Sequence, residues 1–204
     1  MKLFYTPSSC YARKVRVMAR ELGLTDRIEE VRTTLRNPDS DLLPYNPVGR
    51  VPTLEGDDGL ILTESAIICR YLDTISDGCE LIPETGPEHW RVMLLEGKAQ
   101  GFMEGIAYWV RELRRPENER SPDFIKVERQ RAERVLADFE HEMSQGAFDK
   151  GPDIAQISLA CTLPLIDEFL ADLKDWRSSC PKMAAWYEGF SKRSSMIATE
   201  PERG

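Results

Sequence analysis

Residues Met1–Arg16 read MKLFYTPSSCYARKVR. A short apolar run, Leu3-Phe4-Tyr5, gives way to Thr6-Pro7-Ser8-Ser9-Cys10 and then to a basic segment with helical spacing. The pattern predicts a strand, a tight turn and a helix whose first turn carries hydroxyls and a thiol. Backbone N–H groups at a helix N-terminus lack intrahelical partners and carry partial positive charge, so a thiolate placed there is stabilised, whether it belongs to the protein or to a ligand. Two readings of the turn stand side by side. Ser9 is an ordinary helix cap, serine being among the best capping residues. Alternatively the turn addresses a thiol: the Ser9 hydroxyl donates to a ligand thiolate, or Cys10 is itself the nucleophile. Cys10 has no second cysteine three residues away, which disfavours a dithiol redox cycle.

Working outward, Val15, Val17, Met18 and Leu22 recur at helical spacing and Gly23 marks the stop. Ile28–Val31 reads as a second strand, completing a βαβ unit whose two strands run parallel. Arg36–Leu43 is polar and reads as a loop. In Asn46–Leu54, NPVGRVPTL, a turn leads into a strand that opens at Pro52. A cis Val51–Pro52 bond would turn the backbone N–H and C=O of Val51 outward, as an edge able to pair with a peptide-like ligand; a plain edge-strand proline is the other reading. Glu55-Gly56-Asp57-Asp58-Gly59 is a hairpin turn between two short apolar runs. Thr63-Glu64-Ser65 opens a further helix. Its start suits a carboxylate, and Glu64 could pair with an amino group beside it, although capping alone explains the same residues.

Residues 77–88 carry Gly78, Pro83, Gly86 and Pro87 and read as a linker. All that follows is helical in period. One long helix carries Trp90 to Leu113, with Gly97 and Gly101 one turn apart, where another helix could approach closely. A second long helix starts near Pro122. Asp153–Leu173 is the most apolar stretch and belongs at the centre of a bundle; Asp153 and Gln156 are spaced as a capping box that should make both reciprocal bonds. Shorter helices follow at Pro181–Phe190 and from Ser194. The fold class is thus α/β plus all-α: an α/β domain over 1–76, a linker over 77–88 and an all-helical domain over 89–204.

Composition excludes several functions. The 204 residues hold 27 Lys and Arg against 35 Asp and Glu, a net charge of −8 with the signs mixed, which argues against nucleic acid as a partner. No apolar run is long enough to span a membrane. Cys10, Cys69, Cys79, Cys161 and Cys180 form an odd set without metal-ligand spacing, and the two histidines, His89 and His141, lie in no metal-binding pattern. No metal is expected, and reduced thiols point to the cytoplasm. A thiol site, a backbone-pairing strand and an amino-acid head-group site follow one another in one small domain. A ligand with a thiol in the middle, peptide bonds and an α-amino acid end satisfies all three, and that describes glutathione.

On these residues the chain resembles the bacterial cytosolic glutathione S-transferases over essentially its whole length. MKLFYTPSSCYARK is similar to their first strand and helix, NPVGRVPTL to their NP-x-G-x-VP-x-L strand, and LTESAII to their glutamate-serine helix start. The resemblance implies a thioredoxin-like N-terminal domain, a C-terminal helical bundle, a cis proline at Pro52 and a homodimer. It implies glutathione as cosubstrate and conjugation to an electrophilic small molecule, with detoxification as the role. Carried over, Val51 pairs with the cysteinyl unit, Glu64 and Ser65 hold the γ-glutamyl end, and Arg50 approaches the glycyl carboxylate. Aligned on Tyr11-Ala12-Arg13-Lys14, Ser9 takes the place of the serine that stabilises the thiolate; counted from the N-terminus, Cys10 falls on the cysteine of the beta class. The first alignment needs no gap, and the beta class's downstream Pro-His pair is missing, so Ser9 is preferred. The electrophile site falls over the first helix turn, walled by Phe102, Ile106, Tyr108, Trp109 and Arg111; core packing is the competing reading of that aromatic set. The rival functions are a glutathione-dependent thiol transferase or reductase using Cys10, and a non-catalytic binding or regulatory protein on the same scaffold.

Overall fold

The computed structural model describes residues 1–78 and 80–202. Cys79 and residues 203–204, which the expected linker and helical domain included, lie outside the described residues. The chain divides into two compact units, Met1–Pro83 with the described residues from Ser194 onward, and Glu84–Arg193.

In the first unit, β1 (Lys2–Tyr5), α1 (Cys10–Glu21) and β2 (Glu29–Arg32) form the βαβ motif, and β3 (Thr53–Glu55), β4 (Ile61–Thr63) and α2 (Ser65–Thr74) follow. The sheet order is β2-β1-β3-β4, with β1 and β2 parallel and the other pairs antiparallel. This is the expected thioredoxin-like arrangement. A row of leucines, Leu3, Leu54 and Leu62, crosses three strands in register, and Leu3 and Leu54 are buried with α-helical residues Val15, Met18, Ile68 and Leu72. On the alternate face Phe4 packs with Ala12, Leu42 and Val51. Two arginines brace α1 on β2: Arg16 Nε donates to Glu30 at 2.8 Å, Arg20 Nη1 at 2.6 Å, and the Arg16 guanidinium lies over the Tyr5 ring.

The described stretch from Ser194 belongs to this unit, although its helical period assigned it to the helical domain. There α8 (Ser194–Ile197) packs on α1. Arg13 Nη2 donates to the Met196 carbonyl at 3.1 Å, the Ser195 hydroxyl bonds the Glu21 carboxylate, and Met196 is buried.

The second unit holds α3 (Gly86–Leu113), α4 (Pro122–Ser144), α5 (Ile154–Phe169), α6 (Trp176–Ser179) and α7 (Pro181–Phe190). Its α5 is central, buried at every position from Ile154 to Leu163, and it packs along α3. The close approach expected at Gly97 and Gly101 falls one turn later. A Cβ at either of those two would meet nothing within 4 Å, whereas one on Gly105 would stand 2.8 Å from Glu128 of α4.

Asp153 caps α5 as expected, Oδ1 accepting the Gln156 N–H at 2.9 Å. The reciprocal bond of the capping box is replaced: Gln156 Nε2 donates to the Gly151 carbonyl at 2.9 Å, and its Oε1 accepts from Trp186 Nε1 at 3.3 Å. The glutamine thus ties the preceding loop and α7 to the helix start. Burial pushes the Asp153 carboxyl above its ordinary value, against the opposing pull of Arg91, whose Nη2 stands 3.6 Å from Oδ2. Asp153→Ala is expected to lower unfolding free energy by about 1–2 kcal/mol, and Asp153→Asn to retain most of it because asparagine caps equally well; urea titration of the three proteins checks this.

Candidate functional site

The register of the sheet brings the three candidate segments to one end. Phe4 stands opposite Thr53, and Thr53 opposite Thr63. Beyond that row the chain continues as Tyr5-Thr6 from β1, leads into β3 from Val51-Pro52, and leaves β4 as Glu64-Ser65. The turn before α1, the strand entry and the start of α2 therefore share the same edge of the unit.

At the first of these the turn closes when the Ser9 N–H donates to the Thr6 carbonyl at 3.2 Å. Ser9 is extended, with φ −82° and ψ 114°, and caps α1: its Oγ accepts the Ala12 N–H at 3.2 Å and its carbonyl accepts the Arg13 N–H at 2.9 Å. The capping bond engages a lone pair of Oγ and leaves the hydroxyl proton as a donor. The capping and thiol-binding readings of Ser9 are thus compatible. Ser9 is half-buried, while Cys10, the first residue of the helix, is 5 % exposed.

Val51–Pro52 is the cis bond that the sequence left open. The Val51 side chain packs with Phe4, Ala12 and Leu42, so the strand entry is seated against the first turn of α1. Arg50 is exposed and Pro52 buried. Sequence reasoning passed over Asn46 and Thr53, which bond the Arg50 carbonyl; the one signal was an asparagine opening a turn four residues before it.

Glu64 is exposed and has φ +69° and ψ 124°, a conformation foreign to L-residues. It stands at the cap position of α2, yet its side chain makes no capping bond. Ser65, the first residue of α2, is buried at 3 % exposure.

The five residues assigned to an electrophile wall separate. Phe102, Ile106 and Trp109 are each 1 % exposed and belong to the core of the helical unit, with Leu95, Phe139 and Leu163. Tyr108 keeps 44 % of its surface and Arg111 is exposed. The core reading of the aromatic set therefore holds for the three buried members.

Comparison with known proteins gives a consistent result. Residues 8–75 match the family model described as glutathione S-transferase, N-terminal domain, and residues 107–189 match glutathione S-transferase, C-terminal domain. A glutathione transferase family member from Pseudomonas fluorescens Pf-5, solved with S-(propanoic acid)-glutathione, is 35 % identical over the whole of both chains with a TM-score of 0.89. A glutathione S-transferase from Methylobacillus flagellatus KT with glutathione bound is 30 % identical, covering 98 % of this chain and 99 % of that one, with a TM-score of 0.90. The uncharacterized GST-like protein YibF of Escherichia coli K12 is 28 % identical over the full length of both.

Relief of the backbone at position 64 is directly measurable. Glu64→Gly is expected to be more stable than Glu64→Ala by about 1 kcal/mol, because only glycine adopts a positive φ without a steric penalty. Thermal unfolding of the two variants decides it.

Proposed function

The chain belongs to the glutathione S-transferase family, and from that membership we propose that it binds glutathione at this sheet end, favours its thiolate and conjugates it to an electrophilic small molecule. The observation that carries the reading is the shared row Phe4–Thr53–Thr63, which sets a capping serine, a backbone edge and a carboxylate beside one another. The order follows the path in the tripeptide from the thiol through the cysteinyl backbone to the γ-glutamyl end. Ser9 donates its hydroxyl proton to the sulfur, and the N-terminal end of α1 adds a favourable field. The Val51 backbone pairs with the cysteinyl unit, beside Pro52. Glu64 meets the α-ammonium, Ser65 and the start of α2 the α-carboxylate, and Arg50 the glycyl carboxylate. Tyr108 and Arg111 retain the surface needed to meet an electrophile.

Ser9 is preferred to Cys10 as the residue that meets the sulfur, a serine-type reading within the family. Ser9 is half-buried and its hydroxyl proton has no acceptor among the described residues, while Cys10 is buried. The location proposed is cytoplasmic, with glutathione as cosubstrate and no metal, in a role of detoxification without nucleic-acid or membrane partners. Among the described residues no single helix is long and apolar enough to cross a membrane.

A homodimer is also proposed. On α3, Trp90 and Leu94 are 71 % and 58 % exposed, and Gly97 and Gly101 continue the same stripe with open space above them. The spacing of four, three and four residues is a seam that a second helix can enter. Leu94→Arg is expected to shift the protein to monomer in sedimentation velocity.

The catalytic assignment is tested by retention on immobilised glutathione followed by turnover with a model electrophile. Ser9→Ala is expected to lose about a hundredfold in kcat/KM, the usual effect of removing a donor to a developing anion, and Cys10→Ala to stay within a few-fold of the parent. Loss of turnover in Cys10→Ala alone would move the chemistry to a mixed-disulfide reductase. Failure of the parent to bind the resin would leave a non-catalytic role on the same scaffold.

A further inference from the structure

Asn46 and Thr53 hold one carbonyl from inside the first unit. Asn46 is 2 % exposed and Thr53 is fully buried. Asn46 Nδ2 donates to the Arg50 carbonyl and to Thr53 Oγ1, both at 3.0 Å, and the Thr53 hydroxyl donates to the same Arg50 carbonyl at 2.9 Å. At the other end of its amide, Asn46 Oδ1 accepts the Val48 N–H at 3.0 Å, and its backbone carbonyl accepts the Gly49 N–H at 2.9 Å. Asn46 is thus fixed at both ends of its side chain, and the turn from 46 to 49 closes around it.

The Arg50–Val51 peptide bond is trans. In a trans unit the carbonyl and the following N–H point in opposite directions from one rigid plane. A carbonyl clamped inward therefore aims the Val51 N–H the other way. Among the described residues that N–H has no hydrogen-bond acceptor, which leaves it for a ligand. Val51 cannot be replaced in this role by its own side chain, which is buried with Ala12 and Leu42. The direction of its N–H is set from behind, by two side chains that lie on the protein side of the peptide plane.

We propose that Asn46 and Thr53 are positioning residues, which fix the plane of the Arg50–Val51 peptide so that the Val51 N–H stands ready for the cysteinyl peptide group of the bound thiol tripeptide. The proposal rests on the glutathione reading of this site. Without the clamp the plane rotates through small compensating changes at ψ of residue 50 and φ of residue 51, and ordering it opposes binding. The clamp contributes to capture of the peptide and is separate from the donor at Ser9. Its loss falls on affinity and on KM for glutathione and leaves KM for the electrophile unchanged.

Thr53→Val removes the hydroxyl at constant shape, Thr53→Ser restores it, and Asn46→Asp removes the two amide donors while keeping the acceptor for Val48. Calorimetry with glutathione is expected to show affinity about tenfold weaker in Thr53→Val and Asn46→Asp, the effect of one or two lost hydrogen bonds, and near the parent value in Thr53→Ser. Unfolding midpoints measured alongside separate this from general destabilisation, since a merely structural role would track stability and not the hydroxyl. Unchanged affinity in Thr53→Val and Asn46→Asp overturns the proposal. A second arm needs no ligand: with the clamp removed, the Arg50 carbonyl carbon and the Val51 amide nitrogen are expected to shift in NMR spectra of the ligand-free protein. If the parent binds no glutathione, the functional reading falls while this arm still judges the clamp, and unshifted resonances overturn it.

Discussion

When β1 pairs with β3 so that Phe4 faces Thr53, and β3 pairs with β4 so that Thr53 faces Thr63, the ends of three chain segments are committed together. Side chains alternate along a strand, so a slip of one residue would exchange the two faces of the sheet. It would take Leu3 and Leu54 out of their buried layer and move Phe4 away from Ala12, Leu42 and Val51. The register is held by burial on both faces, and the alignment of the three candidate segments follows from it. The register brings the segments together, and local contacts such as those of Val51 with Ala12 and Leu42 then seat them.

The same economy appears at Ser9 and Val51. Ser9 caps α1 through a lone pair and keeps its proton. Val51 anchors the strand entry with its side chain and keeps its backbone N–H. In each case a group that stabilises the fold is covalently tied to a group that the fold leaves over, and stability of the first orients the second. Asn46 and Thr53 extend the pattern, since bonds that close a turn also set a peptide plane.

Sequence carried the local features well, and the reason is that they are local. The strand at Lys2–Tyr5, the helix from Cys10, the hairpin around Gly56–Gly59 and the cap at Asp153 are written in periodicity and turn chemistry within a few residues. What could not be read depends on groups distant in the chain. Nothing near Ser194 says that its helix packs on α1, because the bond that shows it joins Met196 to Arg13. Gly97, Gly101 and Gly105 are alike in sequence, and only the position of Glu128 on α4 decides which of them faces a neighbour. Phe102, Ile106 and Trp109 share their stretch with Tyr108 and Arg111; a helix turns 100° per residue, and the side facing α5 was not marked by residue type. Gln156 was placed correctly and given the wrong partner, because the loop at 150–151 and Trp186 offered it others.

Glu64 is the position where local preference and the fold disagree most. A helix start ordinarily takes a residue in extended conformation whose side chain caps the first turn, as Ser9 and Asp153 do. At α2 the cap residue has a positive φ, is a long acid and makes no capping bond. Such a choice lowers stability twice, through the backbone and through the missing cap. Natural sequences break local rules mainly where a site requires it. Here the break leaves a carboxylate exposed at a helix start whose first N–H groups that side chain does not cap. In the proposed function this is where a ligand carrying both an ammonium and a carboxylate on one carbon would use the two features together.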